Sequence, residues 1–454
     1  MTGGRPRVTV ASKGEHTVAQ NINRRQMIAA AAAVAALPAA AATEIRVDGE
    51  RLKATLEGLS KFGRPEGGTF ADGVSRTAYS AADIGGRAYA MGLMREAGLN
   101  PVIDPAGNII GKREGTMKGA KPIIIGSHID SVRAGGNFDG DVGSMGALEV
   151  LRSLNDHGIK TRHPVEMAIW SNEEGGTVGS TAFAGMLEPG ALDNLYYGIT
   201  LRDGLKRIGG DPERLAQAAR LPGSIHAYLE LHIEQGGILD KARIPIGVVD
   251  GIVAIDRYDV TVTGFANHAG TTPMPGRRNA WSAAARLIEA VDSIVKREPG
   301  RQVGTVGQLS VFPNAPNVIP GRVEMTVELR DLAEAKVAEL GRAVQARAQE
   351  IAAETGTTIA FHRTENIRAA LAHPAVQSRI EAAAKQLGLK FIHLPSGAGH
   401  DAQLLAKLGP MGMIFVPSID GISHSPKELS TWSDCANGAN VLLATLLAID
   451  AAAI

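Results

Sequence analysis

The chain is patterned in two styles. Between Asp83 and about Gly237, helical periodicities alternate with short apolar runs. Ala81–Ala97 and Val142–Asn155 repeat apolar residues at helical spacing. Lys121–Gly126 (KPIIIG), Val165–Trp170 (VEMAIW) and Ala227–Ile233 (AYLELHI) are short apolar runs. Runs of that kind suit strands covered on both faces. The alternation predicts an α/β fold: a mixed sheet with helices on both faces.

From about Ile252 to Asn366 the pattern changes. Arg257–Gly264 alternates polar and apolar residues, as a half-buried strand does. Ala280–Lys296 reads as a helix, Val303–Phe312 and Arg322–Leu329 as strands, Leu332–Thr355 as a long amphipathic helix and Thr357–His362 as a closing strand. The order β-α-β-β-α-β predicts a ferredoxin-like α+β module. Pro374–Leu387 then reads as a helix, and the apolar run Met413–Val416 resumes the first style. The expected organisation is an α/β catalytic domain in two parts, 43–250 and 367–454, interrupted by a smaller lid and dimerisation domain at 251–366.

Composition narrows the chemistry. The chain has 454 residues, 44% hydrophobic, with zero formal net charge. That length can bury a large core, and the charge balance gives no footing for nucleic acid. Cys435 is the only cysteine, so neither an internal disulfide framework nor a cysteine zinc cluster can form. Any metal must be held by His, Asp and Glu. At the N-terminus, Arg24-Arg25 precedes a short alanine-rich run ending in small residues near Ala39-Ala40-Ala41. Residues 1–42 are therefore expected to be a twin-arginine export signal, which places the protein in the periplasm; a cytoplasmic location follows if the segment is no signal. The run is too short to span a membrane.

Five places put metal-type ligands in loops after expected strands: GSHID around His128 and Asp130, NFDGD around Asp139, the pair Glu173-Glu174, HIEQG around His232 and Gln235, and SHSP around His424. In an open α/β sheet such loops converge at one edge. Two divalent cations would need a bridging carboxylate, and Asp139, in a glycine-rich loop, suits that place. One of the adjacent glutamates can bind a cation, and the other can stay free to accept a proton from water. Competing signatures are absent. GGNFDGDVG lacks G-x-G-x-x-G spacing, and Gly143-Ser144-Met145-Gly146 is not a G-x-S-x-G elbow. His157, His163, His226, His362, His373 and His393 lack partner motifs and are read as structural, as is Cys435.

Nine motifs in order carry a resemblance: GSHIDSV, GGNFDGDVG, SNEEG, HIEQG, NHAGTTPM, PNVIPG, LRD, SGAGHDA and SHSPKE. From about residue 55 to the C-terminus the chain resembles the M20-type metallohydrolases, within them the carbamoylase and allantoate amidohydrolase group. The resemblance implies His128, Asp139 and His232 on one metal, and Asp139, Glu174 and His424 on a second. It implies Glu173 as general base, Asp130 as the orienter of His128, and His268 contributed to the active site of a partner subunit. Asn317 and Arg330 would grip the substrate, with Gln235, Gly399 and His400 nearby. One departure stands out: the segment Glu174–Ser180 (EGGTVGS) is several residues shorter than the family usually has and lacks its Arg-Phe.

The function so implied is hydrolysis of a linear amide by a dinuclear metal centre. Zinc is the expected cation, with manganese, cobalt or nickel as alternatives. The substrate would be an N-carbamoyl-L-amino acid or a ureido acid such as allantoate or ureidopropionate. A homodimer through the inserted domain is implied. An M20 aminopeptidase or deacylase would use the same ligands, and an exported solute-binding protein would close on a ligand without turnover.

Overall fold

A computed structural model describes Met1 and residues 45–452. The expected export segment, 1–42, lies outside the described residues except for Met1. Among the described residues no helix is long and apolar enough to cross a membrane.

The frame of the site is a nine-stranded mixed sheet. Its order runs Val102–Ile103, Ile109–Arg113, Val165–Trp170, Ile123–His128, Ala227–Ile233, Met411–Val416, Ile246–Ile252 and Ala370–Leu371, with Phe391–Ser396 also pairing with Ile246–Ile252. The four strands 165–170, 123–128, 227–233 and 411–416 are neighbours and parallel. Their carboxyl ends are level, since His128 pairs in register with Trp170 and His232 with Phe415. All four are buried along their length, which is why they read as predominantly apolar runs.

Strand 227–233 shows how both faces are covered. Leu231 faces the helices Asp141–Asp156 and Trp432–Ala451. A Cβ on Gly143 would come 2.1 Å from the Leu231 carbonyl oxygen, so glycine there lets helix 141–156 lie on the sheet. On the other face, the Glu230 carboxylate accepts the backbone N–H of Ala402, in the short helix Asp401–Leu405. Trp170, Tyr228, Leu405, Met413 and Phe415 share one apolar core there.

Residues 254–367 build a second sheet, antiparallel and four-stranded, in the order Val303–Phe312, Arg322–Asp331, Ala254–Thr263, Thr358–Ile367. Helices Ala280–Arg297 and Glu334–Thr355 complete the sequence β-α-β-β-α-β. The alternation read in DVTVTG and VEMTVEL puts Val260, Val262, Val323, Met325 and Val327 on the buried face. There they meet Leu287, Val291, Leu340 and Val344 of the two helices in a core of their own.

Candidate metal and active site

The loops leaving the level strand ends carry the ligand-type side chains. Asp139 sits at the centre, buried, in the turn that opens helix 141–156. Gly140 follows with a positive φ of 66°, and a Cβ there would strike the His128 ring at 2.4 Å. The turn therefore needs glycine on two counts.

Three imidazoles face this one carboxylate. Asp139 Oδ1 lies 3.1 Å from His232 Nε2 and 3.6 Å from His128 Nε2, and Oδ2 lies 3.2 Å from His424 Nε2. Glu174 Oε2 is 3.5 Å from His424 Nε2, and Glu173 Oε2 is 3.7 Å from His128 Nε2. The ligand atoms of His128, Asp139 and His232 lie within 4.8 Å of one another, and so do those of Asp139, Glu174 and His424. Such mixed imidazole and carboxylate donors suit zinc or manganese.

The histidines are oriented from behind. His128 Nδ1 lies 2.9 Å from the Asp130 carbonyl oxygen, and His232 Nδ1 lies 2.9 Å from that of Ile233. With Nδ1–H donating to these carbonyls, both Nε2 lone pairs face the cluster. The Asp130 backbone thus holds His128, while its carboxylate oxygen stands 3.9 Å from that ring. That carboxylate accepts the N–H groups of Glu173 and Glu174, each at 3.2 Å, and so fixes the turn carrying both acids. Gln235 donates to Asp139 Oδ2 at 2.8 Å.

Burial and crowding set the charges. Asp139 is held well below the usual carboxylate range: burial opposes this, but His128, His232 and His424 overcome it. His128 is held well above the imidazole range, burial being outweighed by Glu173, Asp139 and Asp130. Burial drives Glu173 well above the carboxyl range; His128 opposes, and Asp401, Glu174 and Asp139 add to the rise. Glu174 is pushed up to about 7 by burial and Asp139, and His424 to about 9, chiefly by its hydrogen bond with Asp139.

The remaining expected residues divide. The buried ring of His400 meets that of His232 edge-on, with centroids 4.5 Å apart, and its Nε2 lies 2.8 Å from Ser396 Oγ. Gly399 precedes it, exposed, in the same loop. Arg330 reaches that loop from the second sheet, donating to the Gly397 carbonyl at 2.6 Å and to Glu328 at 2.6 Å. His268 and Asn317 lie elsewhere, side by side where residues 267–268 pair with 318–319, and both are exposed. Gly270 and Thr271 donate to His268 Nδ1. Among the described residues neither His268 nor Asn317 hydrogen-bonds to the cluster.

Two acids had no assigned part in the sequence reading. Glu428 is buried and accepts the N–H groups of both Phe138 and Asp139 at 3.0 Å, and the Ser423 hydroxyl at 2.9 Å. Its motif, SHSPKE, was visible, but nothing in it pointed 289 residues back to Asp139. Glu230 accepts from Ser127, Tyr228 and Ala402, tying together the strands and loop that bear His128, His232 and His400. The signal was its spacing of two from His232 on one strand. Of the histidines read as structural, His163 stacks on His226 at 3.9 Å, and His393 pairs with Asp250 and Glu381.

Comparison with known proteins agrees with this arrangement. Residues 124–448 match the family described as Peptidase family M20/M25/M40. The chain is 44% identical over 406 residues to an N-carbamoyl-L-amino acid amidohydrolase of Geobacillus stearothermophilus, covering 88% of this chain and 98% of that one. It is 33% identical over 426 residues to a ureidoglycolate hydrolase of Arabidopsis thaliana, covering 89% and 87%. A crystal structure of an amidase of the hydantoinase/carbamoylase family from Burkholderia multivorans superposes with a TM-score of 0.82 at 39% identity, covering 90% of this chain and all of the other. The family is metal-dependent, and the residues gathered around Asp139 fit that requirement. With its fold, its ligand cluster and its relatives in agreement, the chain belongs to the M20 family of hydrolases, on its hydantoinase/carbamoylase branch.

Proposed function

We propose that the protein hydrolyses the carbamoyl group of an N-carbamoyl-L-amino acid or a related ureido acid, using two divalent cations that share Asp139. The observation that carries this reading is the convergence of three imidazoles on the two oxygens of Asp139, with Glu174 beside His424 and Glu173 beside His128. His128 and His232 would hold one cation, Glu174 and His424 the other. Bound there, the cations would supply Lewis-acid chemistry, making water more acidic and the carbamoyl carbonyl more electrophilic.

The protein's own groups do the rest. Glu173, raised by burial, accepts the proton of the attacking water and returns it to the leaving nitrogen. Arg330 offers a planar fork to the substrate carboxylate, with Asn317 as a second donor. His268 of a partner subunit donates to the oxygen that gains charge. Movement of residues 251–366 over the sheet edge completes the site and excludes water. One water and one substrate give the amino acid, ammonia and carbon dioxide. The relatives named for N-carbamoyl-amino-acid and ureidoglycolate hydrolysis support this substrate class. Export by way of Arg24-Arg25 belongs to the same proposal, supported by the order of charge, apolar run and small residues.

The test is ammonia release by zinc- or manganese-loaded protein from a panel of N-carbamoyl-L-amino acids, ureidopropionate and allantoate. Turnover of at least one is expected. Hydrolysis of dipeptides or acyl amino acids with none of the panel would overturn the reading.

A further inference from the structure

A cavity of about 490 Å³ opens between the two sheets beside the ligand cluster. Gln235 lies at one side of it, and the same Gln235 side chain donates to Asp139. Ile238, Val253 and Leu394 give it aliphatic walls, and Arg330 and Arg301 both line it. The two arginines stand in different electrostatic circumstances. Arg330 is paired with Glu328 at 2.6 Å. Arg301 donates to the His393 carbonyl at 3.2 Å, and among the described residues no carboxylate lies within ion-pair distance of it. Glu234 lines the same cavity, but its oxygens are taken up by the N–H groups of Ile238 and Leu239 at 2.8 and 2.7 Å.

The backbone segments that carry the two arginines are neighbours in the second sheet. Val303, two residues beyond Arg301, pairs with Arg330 across adjacent strands. Arg301 in turn reaches His393, on the strand whose Leu394 forms a wall. A substrate bound with its carbamoyl carbon at the cluster and its α-carboxylate on Arg330 therefore has its side chain directed along a wall that ends at an unpaired guanidinium.

We propose that Arg301 is a specificity-determining residue that binds a second carboxylate, so that the cavity selects N-carbamoyl derivatives of amino dicarboxylic acids. This rests on the ureido-acid reading above and adds the charge of the side chain to it. A guanidinium beside aliphatic walls, with no carboxylate at ion-pair distance among the described residues and the Glu234 oxygens already engaged, favours an anionic partner over a neutral one of the same shape, because a charged acceptor makes the stronger hydrogen bond. Arg301 lies exposed at the cavity, so the discrimination is moderate, about fivefold.

The experiment compares N-carbamoyl-L-glutamate with N-carbamoyl-L-glutamine, and the aspartate derivative with the asparagine one. The members of each pair have closely matched shapes and differ in charge. The readout is the ratio of kcat/KM within each pair, which is independent of the fraction of any preparation that is folded or metal-loaded. The wild type is expected to prefer the acid of at least one pair, through KM. Arg301→Gln is expected to reduce that ratio about fivefold, and Arg301→Glu to invert it. A wild type that prefers the amide of both pairs overturns the inference and leaves the ureido-acid reading intact. Ratios that stay within twofold of wild type in both variants do the same. Absence of turnover with every ureido acid overturns that reading, and this inference with it.

Discussion

Asp139 Oδ1 and His232 Nε2 stand 3.1 Å apart at the carboxyl edge of the sheet, both buried. The second oxygen of Asp139 faces His424, so one carboxylate serves both halves of the cluster. Asp139→Asn should therefore deplete both cations together, by more than the tenfold to hundredfold in affinity that loss of a supporting partner costs. Metal analysis after dialysis reads the result. Retention of a full pair of cations by the variant would refute a shared ligand.

Glu173 differs in kind. It is placed beside His128 without belonging to either ligand group. Glu173→Gln keeps its size and is expected to lower kcat by about 10² to 10⁴ while metal content stays at the wild-type level. A loss of activity matched by a loss of metal would make Glu173 a ligand and not a base.

Metal loading should release protons. In the metal-free protein Glu174 titrates near 7 and His424 near 9, so at pH 7 His424 is charged and Glu174 about half protonated. Both must be deprotonated to bind a cation. Metal affinity should accordingly rise as pH climbs from about 6 to 9. Calorimetry in buffers of different ionisation heat should find at least one proton released per protein at pH 7, and finding none would contradict the assignment.

Glu428 supports the Asp139 turn from beneath. Glu428→Ala strands two buried N–H groups, each worth about 1–3 kcal/mol when left unpaired. The variant should melt lower and bind metal about tenfold to a hundredfold more weakly. Glu428→Gln, which keeps an acceptor oxygen, should recover most of the melting temperature. A Glu428→Ala protein with wild-type metal affinity would show that the turn holds itself.

Subunit complementation tests the trans placement of His268. The Glu173→Gln and His268→Ala proteins are each expected to be nearly inactive. Mixed and refolded or co-expressed, they should regain a substantial fraction of wild-type turnover, because a mixed dimer with His268 acting in trans would hold one site with both residues intact. Mixtures that never exceed the sum of the parents would argue for a site complete within one chain.

Much of this arrangement was legible in the sequence, for physical reasons that differ by element. Val165–Trp170 and Ala227–Ile233 were readable to the residue because strands buried on both faces stay largely apolar, broken only by Glu166 in the first and by Glu230 and His232 in the second. Helix Trp432–Ala451 was not, since it is buried around much of its circumference and shows little periodicity. Phe391–Ser396 was hidden by His393 and Pro395, which are tolerated where the strand is half-exposed. Asp139 and the four residues gathered around it announced themselves by residue type at strand ends or in the loops after them. Glu428 and Glu230 did not, because their partners are backbone N–H groups and hydroxyls supplied by remote parts of the chain. His268 marks a different limit: the resemblance places it in a partner subunit's site, and among the described residues it does not hydrogen-bond to the cluster.

The level register of the four parallel strands makes the molecule two-sided in its tolerance of change. Side chains on a strand alternate faces, so adding one residue within 123–128 or 227–233 would turn His128 or His232 to the wrong side while leaving the pairing whole. The opposite rim carries no such obligation. The exposed turn at Lys118-Gly119, just ahead of strand 123–128, is where a reporter or an anchoring tag can be spliced in with the chemistry left undisturbed.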